Sequence, residues 1–147
     1  MTIPASAEIT GLQIVQAAIV AAGLGEPGVT LFMGREPDSV DQPSDLSILV
    51  TEQDGDPLYT MGTAVALEHQ MVQVKVRGLV DEYHPAKARA IRIRYTIAAL
   101  GEYVYNGVRV TNTSPVGNVL HLGTDERGRD EFTVNFNIQW EPPYDYA

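Results

Sequence analysis

Two stretches of the chain place apolar residues three and four positions apart, the spacing that gives a helix one apolar face. The first stretch covers residues 5–22, and its apolar face is formed by Ile9, Leu12, Val15, Ile19 and Ala22. Ser6 is the expected N-cap, because its hydroxyl can accept a hydrogen bond from a free amide of the first turn. Gly23 and Gly25 are expected to end the helix.

The second helix is predicted over residues 81–100. Its apolar face is formed by Tyr83, Ala86, Ala90, Ile93, Ile97 and Leu100. Asp81 is the expected N-cap, Pro85 lies in the first turn, where proline is tolerated, and Gly101 is expected to take the left-handed conformation that often ends a helix. The flanks of this face carry four basic residues, Lys87, Arg89, Arg92 and Arg94.

Alternation of apolar and polar residues predicts two long strands. The strictest alternation predicts a strand over residues 131–141, with Phe132, Val134, Phe136, Ile138 and Trp140 on one face. A similar strand is predicted over residues 67–77, with Val72, Val74 and Val76 on one face. Both patterns are typical of strands in an antiparallel or mixed sheet that has one buried face.

Shorter apolar runs predict further strands at residues 29–34 and 46–50. The dipeptide Asn106-Gly107 lies between alternating residues and is a strong signal for a type I′ β-hairpin. Residues 115–128 show no regular alternation and are predicted to be irregular.

This order of elements predicts an α+β fold, with a mixed, largely antiparallel sheet and two helices packed on one of its faces. The length of 147 residues favours one domain over residues 1–147. Residues 142–147 have no periodicity and are expected to form an extended C-terminal tail. Two long acidic loops are predicted at residues 35–45 and 51–63, and long loops in a small domain are often functional.

The net charge of −9 is divided unevenly along the chain. Residues 1–66 hold nine acidic residues and one basic residue, whereas residues 67–147 hold ten acidic and nine basic residues. Such a division suits head-to-tail contact between copies, and the same charge also serves solubility. An acidic total opposes tight binding of DNA, because phosphates are bound by a basic surface.

Several functional classes find little support in the residues. The chain has no cysteine, so disulfides and thiolate metal sites are excluded. No apolar run approaches the roughly 20 residues that span a bilayer, so no membrane contact is expected. The glycines of residues 23–28 follow a helix and precede a strand, which is the reverse of the order in a dinucleotide-binding loop.

The densest charge cluster, residues 125–131, directly precedes the strictest strand. Its acidic residues are Asp125, Glu126, Asp130 and Glu131. They could bind a divalent cation or act in acid–base catalysis, but Arg127 and Arg129 lie between them and would partly neutralise such a site. The other interpretations are a tight, solvated turn and a contact with another copy of the chain. The three histidines, His69, His84 and His121, lack the spacing of a helical zinc site.

Three segments resemble the tail terminator proteins of long-tailed bacteriophages, which are also called minor capsid or tail-completion proteins. The first segment is "VQVKVRG", and the second is the following helix, whose sequence begins with "DEYHPAKARA". The third segment is "GVRVTNTSPVGNVLHLGTDERGRDEFTVNFNI". The positions that carry the resemblance best are Pro115, Leu122, Gly123, Asp125, Gly128, Arg129 and residues 132–138. The acidic residues 52–57 match no pattern of this family.

The resemblance implies a structural virion protein, not an enzyme, that needs no cofactor. Such proteins close the head-proximal end of the tail tube as a ring, commonly a hexamer, assembled in the host cytoplasm. The ring stops tube polymerisation and offers a surface to a head-completion or connector protein. DNA then passes through the lumen without specific binding.

Within that interpretation, two sets of residues are candidates for contacts. The subunit interface is expected to use Asp125, Arg127, Gly128, Arg129, Asp130, Lys87 and Arg92, with Arg127 and Arg129 pairing with acidic residues of a neighbouring copy. Lumen or docking loops are expected to use Asp38, Asp41, Asp45, Glu52, Asp54 and Asp56. Alternatives are a neck or head-completion protein, a tail-tube subunit and, from a different class, a small metal-dependent hydrolase.

Overall fold

A computed structural model describes residues 9–35, 46–53, 55, 58–59 and 65–142 of the chain. These residues form two α-helices and one sheet, so the predicted α+β fold is confirmed. The elements in chain order are α1 (Gly11–Ala21), β1 (Leu31–Met33), β2 (Ser47–Glu52), β3 (Leu58–Tyr59), β4 (Val65–Val80), α2 (Tyr83–Ala98), β5 (Tyr103–Tyr105), β6 (Val108–Thr124) and β7 (Arg129–Trp140). None of the described helices is long and apolar enough to cross a membrane.

The sheet has the strand order β1-β2-β4-β7-β6-β5, and β3 pairs with the N-terminal part of β4. Only β1 and β2 run parallel among the described strands, and the other neighbours are antiparallel. The sheet is therefore mixed and largely antiparallel, as predicted. Its centre is the long pairing of β4 with β7, where Val72, Val74 and Val76 lie opposite Phe136, Val134 and Phe132.

The core lies between one face of this sheet and both helices. The inward residues of β4 and β7 are buried, with Val74, Val134 and Phe136 each 0% exposed. The helices cover them with Ile14, Val15 and Ile19 of α1 and Ala90, Ile93 and Ile97 of α2, all 0% exposed. The predicted apolar face of the second helix is thus confirmed, and Tyr83 and Leu100 at its two ends pack against the core while partly exposed.

Helix α1 begins later than predicted. Ser6 lies outside the described residues, but Ile9 and Thr10 are described and are not helical, so Ser6 is not the N-cap. Thr10 holds that position, and its backbone amide donates to Gln13 Oε1 at 2.6 Å. The backbone amide of Gly11 donates to Gln70 Oε1 at 2.9 Å, so a side chain of β4 completes the helix start. A local capping box formed by Thr10 and Gln13, together with the tertiary contact from Gln70, fixes where α1 begins.

Helix α2 also has a different N-cap from the predicted one. Asp81 takes a left-handed backbone conformation with φ of 58°, and Glu82 is the N-cap. Pro85 lies in the first turn as predicted, and Gly101 takes the expected left-handed conformation with φ of 64°. The backbone amide of Asp81 donates to the carbonyl of Gly128 at 3.2 Å, so the turn before α2 is fixed by a distant part of the chain.

The prediction of irregular structure for residues 115–128 is wrong over most of its length. Strand β6 continues to Thr124 and pairs with β7, with register shifts between Val116 and Leu120 and between His121 and Gly123. These bulges break the period of two, which is why the sequence shows no alternation there. The predicted type I′ hairpin is confirmed, because Asn106 and Gly107 have φ of 46° and 82°.

The two predicted acidic loops are only partly described. Residues 36–45, 54, 56–57 and 60–63 lie outside the described residues, as do residues 143–147 of the predicted C-terminal tail. In the second loop, Thr51 and Glu52 continue β2, and Leu58 and Tyr59 form β3. Strand structure therefore occupies part of the segment that the sequence pattern assigns to a loop.

A glycine sets the distance between β4 and the start of α2. A Cβ atom at Gly78 would lie 2.6 Å from Cβ of Ala86 and 3.2 Å from the carbonyl oxygen of Glu82. The first atom is attached directly to the backbone and the second belongs to it, so neither can move aside as a flexible side-chain end could. The absence of a side chain lets the first turn of α2 lie directly on the strand.

We expect Gly78→Ala to lower the free energy of unfolding by about 1–3 kcal/mol, the usual cost of overpacking. The double variant Gly78→Ala with Ala86→Gly removes the closest contact, so its loss should be smaller than the sum of the two single losses. Urea unfolding followed by the fluorescence of Trp140 measures all three variants. Ala88→Gly, at an exposed position of α2, reports the helix penalty of glycine alone. Strict additivity of the two single losses would contradict the assignment.

Candidate assembly surfaces

The charge cluster forms the turn between β6 and β7, and Asp125 organises it. Asp125 Oδ1 accepts hydrogen bonds from the backbone amides of Arg127 at 2.9 Å and Arg129 at 3.0 Å. Asp125 Oδ2 accepts one from Nε of Arg129 at 2.8 Å. Gly128 has φ of 77°, a conformation that glycine adopts at low cost, so the interpretation of the cluster as a tight turn is confirmed.

These contacts decide the charge state of Asp125. Partial burial by itself raises the pKa of the carboxyl group, because burial disfavours the charged form. The hydrogen bonds from the amides of Arg129 and Arg127 and from the Arg129 side chain act in the opposite direction, and the pKa is lowered overall from its ordinary value of 3.8. Asp125 is therefore a carboxylate at neutral pH that stabilises the turn.

The same contacts correct the expectation for Arg129. Its side chain is only 3% exposed and pairs with Asp125 within the chain, so it is not available to an acidic residue of a neighbouring copy. Asp130 is also buried. Arg127 and Glu126, by contrast, are exposed at the tip of the turn. Sequence spacing could not separate the two arginines, because the turn geometry directs one inward and the other outward.

A second polar group lies beside this turn. Asp130 Oδ1 lies 3.0 Å from Nε2 of His121 and accepts a hydrogen bond from Oγ1 of Thr124 at 3.1 Å. The rings of Tyr83 and Phe132 pack against the imidazole, with ring centres 5.1 and 4.9 Å away. This group is not evident from the sequence, because residues at the end of β6 lack the alternation typical of a strand. A strand prediction for residues 115–124 would have placed Thr124 opposite Asp130 across the hairpin and so indicated the group.

The four basic residues of α2 have different surroundings. Nη1 of Arg89 donates to the carbonyl of Leu24 at 2.7 Å, and Nε of Arg94 donates to the carbonyl of Gly117 at 3.1 Å. Nζ of Lys87 lies 5.9 Å from the centre of the Tyr83 ring. The side chain of the fourth, Arg92, is exposed and forms no ion pair with any described residue. Helix α2 contains no acidic residue, so none of its four basic residues is offset by an acidic residue of the same helix.

Most residues expected in lumen or docking loops fall outside the described part of the chain, namely Asp38, Asp41, Asp45, Asp54 and Asp56. Glu52 is described, and it is exposed at the end of β2. It pairs in register with Val72, whereas Arg129 of the charged turn pairs with Val80. Eight positions on one strand correspond to about 26 Å, so Glu52 and the charged turn belong to separate surfaces.

The described residues hold no group of three or more histidine, aspartate or glutamate side chains that could bind a metal ion. Three depressions that are partly open to solvent lie along α2, and they suit contact with other macromolecules.

Comparisons with known proteins give a family match in sequence and a match in structure. The sequence model of a family described as "Bacteriophage tail terminator protein" matches residues 18–142. No curated protein matches the chain in sequence. Among solved structures, a chain of the "Virion of native gene transfer agent (GTA) particle" superposes with a TM-score of 0.58 at 14% identity, covering 86% of this chain and 91% of that chain. At this level of identity the likeness shows a shared fold.

The lowered pKa of Asp125 gives a pH test of the turn. A carboxylate whose pKa is lowered on folding adds stability above its unfolded pKa, and that stability is lost as pH falls through the folded pKa. We expect Asp125→Asn to lower the free energy of unfolding at neutral pH, and the difference from the native chain to shrink below about pH 4. Chemical unfolding at a series of pH values measures the difference. Glu126→Gln, in the exposed part of the turn, should show little difference, and a penalty for Asp125→Asn that is constant down to about pH 2 would contradict the assignment.

Proposed function

The chain belongs to the bacteriophage tail terminator family, and from this premise we propose that it forms a ring that closes the head-proximal end of a phage tail tube. The family match over residues 18–142 carries this proposal, and it makes the chain a structural protein of the phage tail. The ring stops tube polymerisation and presents a surface to a head-completion or connector protein. Assembly takes place in the host cytoplasm, and a hexamer is the expected form.

The uneven division of charge along the chain supports a closed ring. A ring built from identical subunits uses head-to-tail contacts, and each subunit must present two different complementary surfaces. Positive charge is concentrated on α2, whereas residues 1–66 carry a net charge of −8 from nine acidic residues and one basic residue. Arg127, at the tip of the β6–β7 turn, is the exposed cation of the charge cluster and remains the candidate for an interface contact there.

We expect the purified native protein to form rings of one size and to stop the growth of tubes made by the tail tube protein of the same phage. Negative-stain electron microscopy and mass measurement in solution, with and without tubes, provide the test. A ring capping one end of each tube supports the proposal. Long polymers of the protein alone would identify a tube subunit, and binding to head connectors but never to tubes would identify a neck protein.

The acidic residues near Glu52 suit a lumen through which DNA passes. Each cation that contacts a phosphate releases counterions and strengthens binding, so a wall without cations lets DNA slide. Glu52 is exposed at the end of β2, and the sequence places Asp54 and Asp56 within four residues of it. We propose that these three side chains face the lumen.

Replacing Glu52, Asp54 and Asp56 by lysine should make isolated rings retain DNA at low salt, with retention falling steeply as salt is raised. The native ring should retain none, and the neutral triple variant Glu52→Gln, Asp54→Asn and Asp56→Asn should behave like the native ring. A filter-binding or gel-shift titration at several salt concentrations measures this. Lysine-substituted rings that fail to hold DNA would remove these residues from the lumen.

A further inference from the structure

A groove runs between α2 and strand β6. It has a volume of about 360 Å³ and is lined by Lys87, Ile91, Arg94, Tyr95, Asn118 and Val119. Lys87, Ile91 and Tyr95 are spaced four apart, so they follow one another along a single face of the helix. Tyr95 is 65% exposed, so its ring is accessible to another molecule. The groove therefore combines an apolar floor with a basic rim.

The strand beside this groove has a free edge. Strand β5 pairs with β6 only from Val108 to Val110, and no other described strand pairs with that edge from Thr111 to Thr124. Residues 115–124 include no aspartate, glutamate, lysine or arginine, and Leu120 and Leu122 are 56% and 58% exposed. Pro115 and two bulges interrupt this edge, but its exposed leucines leave an apolar surface that favours contact with another chain. This edge is expected to be covered in the assembled protein.

The rim of the groove lacks its counter-charge. Nε of Arg94 is bonded to the carbonyl of Gly117, and Nζ of Lys87 lies over the Tyr83 ring, but neither cation pairs with a carboxylate among the described residues. The net charge of −9 for the whole chain makes a nucleic acid a poor occupant. An acidic polypeptide with an apolar residue at its centre matches both the floor and the rim.

We propose that this groove binds residues 36–45 of a neighbouring copy of the chain, an inference that rests on the proposed ring. The segment "EPDSVDQPSD" contains four acidic residues, no basic residue and Val40 between Asp38 and Asp41. Pro37 and Pro43 disfavour a helix there, so the segment suits an extended conformation.

In the bound arrangement, Asp38 and Asp41 meet Lys87 and Arg94, and Val40 packs on the apolar floor. The contact is head-to-tail, because the segment and the groove are different surfaces of the same chain. It therefore propagates from copy to copy, as ring closure requires.

Cross-linking tests the contact directly, because the chain contains no cysteine. One preparation carries Ser39→Cys in the acidic segment, and the other carries Asn118→Cys in the groove. We expect mild oxidation of the mixture to give a disulfide-linked dimer of unlike copies, and neither preparation alone to give one. Mixing Ser39→Cys with Ala21→Cys, which lies at an exposed position of α1, is the matched control and should give no dimer.

Charge reversal supplies a second measurement. We expect Lys87→Glu to weaken self-association by about tenfold or more, and Asp41→Lys in the same sample to restore part of the loss. Arg92→Glu makes the same charge change on the other flank of α2 and should have a smaller effect. Circular dichroism checks that each variant is folded, so a loss of association is not a loss of structure.

The outcomes separate this inference from the proposed function. Normal rings in the mixture of Ser39→Cys and Asn118→Cys copies, without a cross-link between them, would overturn the groove assignment and leave the ring intact. Native protein that never forms a ring or caps a tube, while the mixture still gives the specific cross-link, would overturn the ring and support the contact. If Lys87→Glu rings form normally but no longer cap tubes, the groove belongs to the tube protein and the inference is wrong.

Discussion

Burial of one face of the β4–β7 strand pair under two helices is the interaction on which the rest of the structure depends. Val72, Val74 and Val76 of β4 lie opposite the aromatic and aliphatic residues of β7, and the inward residues of both strands are excluded from solvent. Each buried side chain of this kind contributes about 1.5–3 kcal/mol, so this layer is the main source of stability. Because α2 packs on the sheet with one side only, its outer side stays open for contacts.

The charged turn before β7 illustrates how local geometry separates residues that look equivalent in the sequence. Asp125 binds the amides of the turn and the side chain of Arg129, so these two charges stabilise the hairpin from within. The hydrogen-bonded group of Asp130, His121 and Thr124 adds a second intramolecular connection. Glu126 and Arg127, at the tip of the turn, remain exposed to other molecules. A dense group of charges therefore stabilises the turn from within and leaves its tip exposed.

Two features of the fold make a self-assembling role physically reasonable. Helix α2 carries bases without acids, and β6 carries a long edge without a partner strand among the described residues. Both features are costly in an isolated chain, since uncompensated charge repels itself and an open edge invites aggregation. Both become favourable when an acidic, extended segment covers them. In the proposed ring, such a segment would come from a neighbouring copy.

The sequence by itself determined the α+β class, the apolar face of α2, the inward residues of β4 and β7 and the Asn106-Gly107 hairpin, because each depends on local periodicity or on one turn. Tertiary structure decided the course of β6, whose bulges hide its alternation, and it supplied Gln70 of β4, which completes the start of α1. It also decided that Arg129 points inward while Arg127 points outward. Local patterns specify which residues can be buried, but only the packed chain fixes which charges pair inside it and which remain for a partner.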